Sequence, residues 1–370
     1  MESKSKGKIS AAQFFIMLFV SRIVITITMN SQTLGGDNLL DNVVSCGLSM
    51  LLGFLIALPL WLLHRRHPGL NVNEVARLDI GRAGKAVPLF YLLYFIAVNT
   101  VALSLFEIFL MDTVNPDFSA VLIIAAIVAV ALYGAVRGLE TVARCASCVF
   151  VLFLVGVVLV FAIVSTRFRT DNLEPLFYNG FGQTVKGTMV FVARTSIFAD
   201  MAILLPLVRG RKLAGFSFWS LGTGAFISTL LLLVVGCLGR YAYTQNFPVY
   251  ILASITEVRS LQRLDSIFIG VWMMGLIIKL ACDFYACRLC LSSLGFQSGG
   301  GKKFGWAPAA AAALVTLALT VLTVGSHPLQ KLLYQTDFLL IITLAMGMAV
   351  PLLLLLIDAV RFRKRKKVEK

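Results

Sequence analysis

The chain has 370 residues, of which 59% are hydrophobic and only 14% charged, with a mean hydropathy of +0.89. A soluble domain carries roughly a quarter charged residues, so this composition excludes an ordinary soluble fold and specifies a polytopic membrane protein. The formal net charge of +15 would suit nucleic acid only if the basic residues shared one surface, and they do not.

Apolar runs of about 18–25 residues, enough to cross roughly 30 Å of hydrocarbon, recur ten times: 9–30, 39–63, 86–110, 118–135, 142–165, 184–207, 217–239, 264–290, 306–325 and 334–358. Lys4, Lys6 and Lys8 before the first run resemble the start of a signal peptide. The run is too long, and no small-x-small cleavage pattern follows, so an uncleaved first helix is predicted. Its sequence, ISAAQFFIMLFVSRIVITITMN, places Ser21, Arg22 and Thr26 in a second half rich in Ser, Thr and β-branched residues, which are weak helix formers.

The third run holds Glu107 in its later part. The fourth is short and follows a turn at Asn115–Pro116. The fifth begins near Cys145-x-x-Cys148, read as two small polarizable residues facing a neighbouring helix, with a redox or metal role as the alternative. The sixth, TVKGTMVFVARTSIFADMAILLP, carries Arg194, Thr195, Ser196 and Asp200 in its middle. In the segment after the seventh, Ile251, Ile255, Val258 and Leu261 recur at helical spacing behind Pro248. That segment is an amphipathic helix, either a lid over a cavity or a plain interfacial helix. The eighth carries Lys279 and Asp283, four apart and therefore on one face. No soluble domain fits between the runs.

Of the 33 Lys and Arg, 23 fall in the tails and loops on one side: the N-terminal tail, loop 64–85, the regions around 137–144, 209–212 and 288–303, and the tail from Arg361. This asymmetry places both termini in the cytoplasm, as an even number of spans requires. The basic tail RFRKRKK reads as an anchor on anionic lipid headgroups. Nucleic acid is not an expected partner. Seven cysteines, with none in an outer loop, argue against a disulfide framework. His64, His67 and His327 all sit at loop edges, and Cys287 points away from the face that Cys282 and Cys290 loosely share, so neither a metal nor a cofactor is predicted.

Ten spans divide into five and five, which would insert in opposite orientations. The expected fold is an all-α single membrane domain: repeat one over 1–165, repeat two over 184–358, and a basic tail over 359–370. The first helix of each repeat is expected to be discontinuous. Neither has a Gly-Pro break, so this rests on symmetry. At 1.5 Å per residue, Arg22 lies roughly 20 Å into the first span and Arg194 roughly 15 Å into the sixth, both near the midplane. Paired arginines in related helices point to a ligand carboxylate. Ser21, Thr26, Thr195 and Ser196 would hold its polar remainder. For Glu107, Asp200, Lys279 and Asp283 two readings stand: mutual neutralisation within the bundle, or ligand and proton handling.

The segments RGLETVAR (137–144), DNLEPLFYNGFGQTVKG (171–187), FPVY (247–250) and RLDSIFIGVWMMGLIIKLACDFYA (263–286) resemble the spore germination permease family. These are the B subunits of nutrient germinant receptors, within the amino acid–polyamine–organocation superfamily. The last stretch is the most specific, with Arg263-x-Asp265, Trp272, Lys279 and Tyr285 in the family's pattern. Ser21-Arg22 departs from it, standing where a small residue such as glycine is expected. That favours an anionic or carboxylate-bearing ligand. The resemblance implies a nutrient sensor, with an amino-acid-like ligand and A and C subunits as partners, in the inner membrane of a spore. The alternative is a proton- or sodium-coupled secondary transporter of amino acids or amines. A membrane enzyme is a third class, disfavoured because the spans hold no histidine and no two of their acids are close in sequence.

Overall fold

Backbone groups in hydrocarbon need internal partners, and the chain meets this demand with helices almost throughout. The computed structural model describes residues 9–28, 40–114, 120–173, 175–177, 180–255, 264–295 and 305–368. In chain order the elements are β1 (Ile9–Ser10), α1 (Ala11–Ile27), α2 (Asp41–Arg66), α3 (Val72–Ile80), α4 (Ala86–Phe109), α5 (Ala120–Arg137), α6 (Leu139–Val164), α7 (Phe181–Ala193), α8 (Ile197–Leu204), β2 (Val208–Arg209), α9 (Lys212–Leu238), α10 (Pro248–Ser254), α11 (Leu264–Leu294), α12 (Ala307–Val324), α13 (His327–Tyr334), α14 (Thr336–Leu344) and α15 (Val350–Val368). A π-helical turn, Ala345–Ala349, joins the last two.

Among the described residues, eight helical stretches are long and apolar enough to cross a membrane. The first and fourth predicted spans are represented by the shorter apolar helices Ala11–Ile27 and Val121–Arg137. Residues 29–30 and 118–119, and the turn at Asn115–Pro116, lie outside the described residues.

Local chemistry explains several boundaries. Ser10 and Gln13 form a capping box at the start of α1, and Asn71 and Glu74 form another at α3. One residue, Gly138, separates α5 from α6. Its φ of +107° is open to glycine and strained for other residues. The pairing of β1 with β2 is parallel, Ile9 opposite Val208 and Ser10 opposite Arg209, and ties the start of α1 to the exit of α8.

The packing places α1 at the centre, against α6, α9 and α11. In turn α7 packs on α2 and α14, while α4 packs on α11 and α12. Gly275 permits the close approach of α11 to α1, since a Cβ there would meet Val24 Cγ2 at 2.5 Å.

The sixth predicted span is discontinuous. It is split into α7 and α8 by Arg194, Thr195 and Ser196, without Gly or Pro. The first is not: Ala11–Ile27 is a continuous helix, which corrects the expectation of a matching break within these residues. Thr26 Oγ1 donates to the Arg22 carbonyl at 3.0 Å, and Thr28 Oγ1 to that of Ile25 at 2.6 Å, so polar side chains close on their own helix. Burial on almost every side then outweighs weak propensity.

Among the described residues of the amphipathic segment after the seventh span, Pro248–Ser254 is helical; Val258 and Leu261 lie outside the described residues. The short helix α13, unforeseen in the sequence, is tied to α4 by a bond from the Tyr334 hydroxyl to Ser104 Oγ at 2.7 Å. All seven cysteines are free, and Cys145 and Cys148 are exposed on α6.

Candidate functional site

A helix cannot end inside a membrane protein without partners for its last carbonyls. At the end of α7 these partners are side chains. Arg22 of α1 donates from Nη1 to the Arg194 carbonyl at 2.6 Å and from Nη2 to the Phe191 carbonyl at 2.8 Å. Thr343 of α14 donates to the Ala193 carbonyl at 3.0 Å, and Thr195 Oγ1 to that of Phe191 at 2.7 Å. The Tyr94 hydroxyl of α4 approaches the Thr195 carbonyl at 3.5 Å. The break is therefore a fixed feature held by three other elements.

Two cavities flank it. The larger is a cleft of about 450 Å³ between α1, α4, the break and α14. Its polar lining is Thr28, Tyr94, Arg194, Thr195 and Ser196, and Val98, Val101, Ala102, Leu105 and Leu339 form its apolar wall. The smaller, of about 200 Å³, lies between Ser21, Arg22, Thr195, Ser196 and Asp200. The structure thus brings Ser21, Arg22, Arg194, Thr195 and Ser196 to one locus, while Thr26 lines neither cavity.

The two arginines differ in state. Arg22 is 3% exposed, with both terminal nitrogens on carbonyls. Arg194 is 7% exposed, and its Nε and Nη1 have no hydrogen-bond partner among the described residues. They do not form a joint fork toward one ligand.

The charged residues of α11 face the other side of the break. Lys279 Nζ donates to Asp283 Oδ2 at 2.7 Å and to Asn99 Oδ1 of α4; both ionic side chains are sealed from solvent. Asp200 joins them: an oxygen of Asp200, the sulfur of Cys282 and an oxygen of Asp283 lie within 4.8 Å of one another. Ser196 Oγ donates to Asp200 Oδ2 at 3.3 Å, and Asp200 Oδ1 has no partner among the described residues. Sequence separation hid this carboxylate pair, because its members come from different spans. The Lys279 ammonium already supplies positive charge inside the cluster.

Glu107 is not part of that network; it lies about 12 Å along α4 from Asn99. It is buried, with Oε2 unpartnered among the described residues. It faces the α13 end, where burial pushes the Tyr334 phenol above its ordinary range. The bond to Ser104 pulls the phenol partly back, and Glu107 and Arg194 act on it in opposite senses.

Sequence reasoning missed Tyr94, Asn99 and Thr343. Asn99 in an otherwise apolar run was a legible signal. The roles of Tyr94 and Thr343 depend on the fold alone.

A family model described as spore germination protein matches residues 8–299. The chain belongs to the spore germination protein family. The match spans Arg22, Glu107, Arg194, Asp200, Lys279 and Asp283. Among relatives of this family, spore germination protein YndE of Bacillus subtilis (strain 168) is 24% identical over 319 residues, covering 82% of this chain and 85% of that protein. Spore germination protein KB of the same organism is 22% identical over 377 residues, covering 98% and 97%. The putative spore germination protein YfkT is 25% identical over 257 residues, covering 66% and 70%. The chain is a multi-pass membrane protein of a germination family, and that family is not an enzyme class.

Proposed function

We propose that this chain binds a small amino-acid-like nutrient in the cleft beside the helix break and so contributes to triggering spore germination. The carrying observation is Arg194, buried against the cleft with two guanidinium nitrogens unpartnered among the described residues. A buried, unpaired charge costs several kcal/mol, and a ligand carboxylate supplies the planar two-oxygen acceptor that a guanidinium matches. Thr28, Tyr94, Thr195 and Ser196 offer hydrogen bonds to the remainder of a zwitterion. Ser21 and Arg22 line the smaller cavity beside the break, where Arg22 holds the end of α7, while Thr26 bonds back to its own helix.

The wider reading is a ten-span 5+5 inverted repeat in one domain, with both termini in the cytoplasm. The packing supports it. Contacts of α1 with α6 and α9 have counterparts in those of α7 with α14 and α2, and α4 on α12 in α5 on α11. Repeat one would be 1–165, repeat two 184–358. Partner A and C subunits in the inner spore membrane complete the proposal.

The test is a germination dose–response in spores carrying Arg194→Ala, with protein levels checked by immunoblot. A shift to at least tenfold higher ligand concentration is expected. An unchanged curve at normal protein level would remove Arg194 from the site.

The Asp200–Asp283–Lys279 network favours a second reading, a proton- or sodium-coupled transporter of amino acids or amines. Uptake of labelled amino acids into proteoliposomes with and without an imposed gradient separates the two. Flux that follows the gradient would favour transport; none under any gradient leaves the sensor.

A further inference from the structure

We infer that Asp200 and Asp283 hold a single proton between them, and that its release lets Asp200 draw Arg22 away from the end of α7. The proton is the ligand of this site. Its consequence for nutrient binding rests on the reading of the cleft given above; the proton site itself does not.

The two carboxylates have unequal partners. Asp283 receives the Lys279 ammonium at 2.7 Å, and the same ammonium also donates to Asn99. Asp200, 1% exposed, receives the Ser196 hydroxyl at 3.3 Å, and its Oδ1 has no hydrogen-bond partner among the described residues. Two carboxylates this close in a dry interior do not both ionise while one ammonium serves only one of them. The balanced arrangement is a neutral Asp200 whose O–H donates to the Asp283 carboxylate. A metal ion is disfavoured, because the Lys279 ammonium stands inside the cluster as its cation.

The surroundings make this proton consequential. Among the described residues, Tyr94 on α4 and Cys282 and Cys287 on α11 are further titratable groups near the pair, and Arg22 on α1 lines a cavity with Asp200. Neither α12 nor the π-helical turn carries a titratable residue. Of the neighbours, Arg22 alone is a cation that faces Asp200 across a cavity, the one of about 200 Å³ that both residues line. While Asp200 is neutral, the guanidinium binds the partly negative carbonyl end of α7. When the proton leaves, Asp200 becomes a full anion and the stronger acceptor, so Arg22 can cross the cavity. Transfer would strip the Arg194 carbonyl of its Arg22 donor, leave the Phe191 carbonyl with Thr195 Oγ1 only, and loosen the break.

Infrared spectroscopy on the full chain in lipid nanodiscs, without nutrient, tests this directly. The wild type should show a protonated-carboxyl C=O band at neutral pH that vanishes on alkaline titration. Asp200→Asn, which mimics the neutral acid in shape, should lack the band; Glu107→Gln should keep it. Arg22→Gln should raise the proton affinity at Asp200 by about tenfold or more, since it removes the cation that favours the carboxylate. If Asp200→Asn does not fold, Asp200→Glu should keep a band at a shifted frequency. A band absent from the wild type, retained in Asp200→Asn or lost in Glu107→Gln overturns the inference. So does a midpoint that moves with sodium concentration, which would assign the space to a metal cation. None of these readouts depends on Arg194 or a nutrient, so failure here is distinct from failure of the ligand site.

Discussion

The Nη1 atom of Arg22 lies 2.6 Å from the carbonyl oxygen of Arg194. Two arginines far apart in sequence thus meet through the backbone of one and the side chain of the other. The end of α7 carries the negative pole of a helix dipole, and a guanidinium there is favourable on charge grounds alone. With Arg22 in that place, Arg194 is left facing the cleft.

This division of roles predicts opposite effects on stability. Arg22→Ala removes the donor of the Arg194 carbonyl and one of two donors to the Phe191 carbonyl, and should cost about 2–5 kcal/mol. Arg194→Ala removes a buried charge without a partner among the described residues and should cost about 1 kcal/mol or less, or stabilise the nutrient-free protein. Thermal unfolding of both variants in detergent without nutrient measures this. Equal losses would show that Arg194 has a structural partner.

The sequence carried the helical class and the apolar runs, because hydropathy is a local property. It expected a discontinuous sixth span from symmetry alone, without placing the break at Arg194, Thr195 and Ser196. It erred on the first span. Ser, Thr and β-branched residues suggested unwinding there, but Thr26 and Thr28 bond back to their own helix. The Asp200–Asp283 pair was beyond reach, since residues 83 positions apart meet only once α8 is seated on α11. For the same reason the sequence could not tell that Arg22 donates to the backbone at the end of α7.

The Lys279–Asp283 pair should behave as a buried ion pair whose halves depend on each other. Lys279→Met or Asp283→Leu alone leaves an unmatched charge or donor in a sealed site and should cost about 3–5 kcal/mol. The double variant should recover most of that loss, giving a large coupling in a double-mutant cycle. Additive losses in thermal melts would mean that Asn99 and Asp200, rather than Asp283, hold the ammonium.

Gly275 tests how tightly α1 is set. A methyl group at this position would fall 2.5 Å from Val24 Cγ2 and 3.4 Å from Val20 Cγ1. Val24 also lines the cleft. Gly275→Ala should therefore cost about 1–3 kcal/mol through overpacking and weaken the response to nutrient by displacing α1. Adding Val24→Ala should restore stability by vacating the clash. Gly275→Ala with unaltered melting and dose–response would show that α1 can shift without disturbing the site.

Tyr334, which ends α13 ahead of the apolar stretch Thr336–Val360, offers a pH-dependent readout. Its hydroxyl donates to Ser104 at 2.7 Å, and burial raises its phenol above the ordinary value of about 10. A raised folded-state value means that the neutral form is favoured in the native protein. That contribution is fully present below the unfolded value and is lost as pH rises through the folded one. Tyr334→Phe should cost about 1 kcal/mol at neutral pH, from one hydrogen bond. The gap between wild type and variant should narrow as the solution becomes strongly alkaline, because only the wild type has a phenol to ionise. Melting temperatures of the pair measured across that range decide it. A gap that stays constant would mean that the phenol keeps its proton or that its bond to Ser104 adds nothing to the docking of α13.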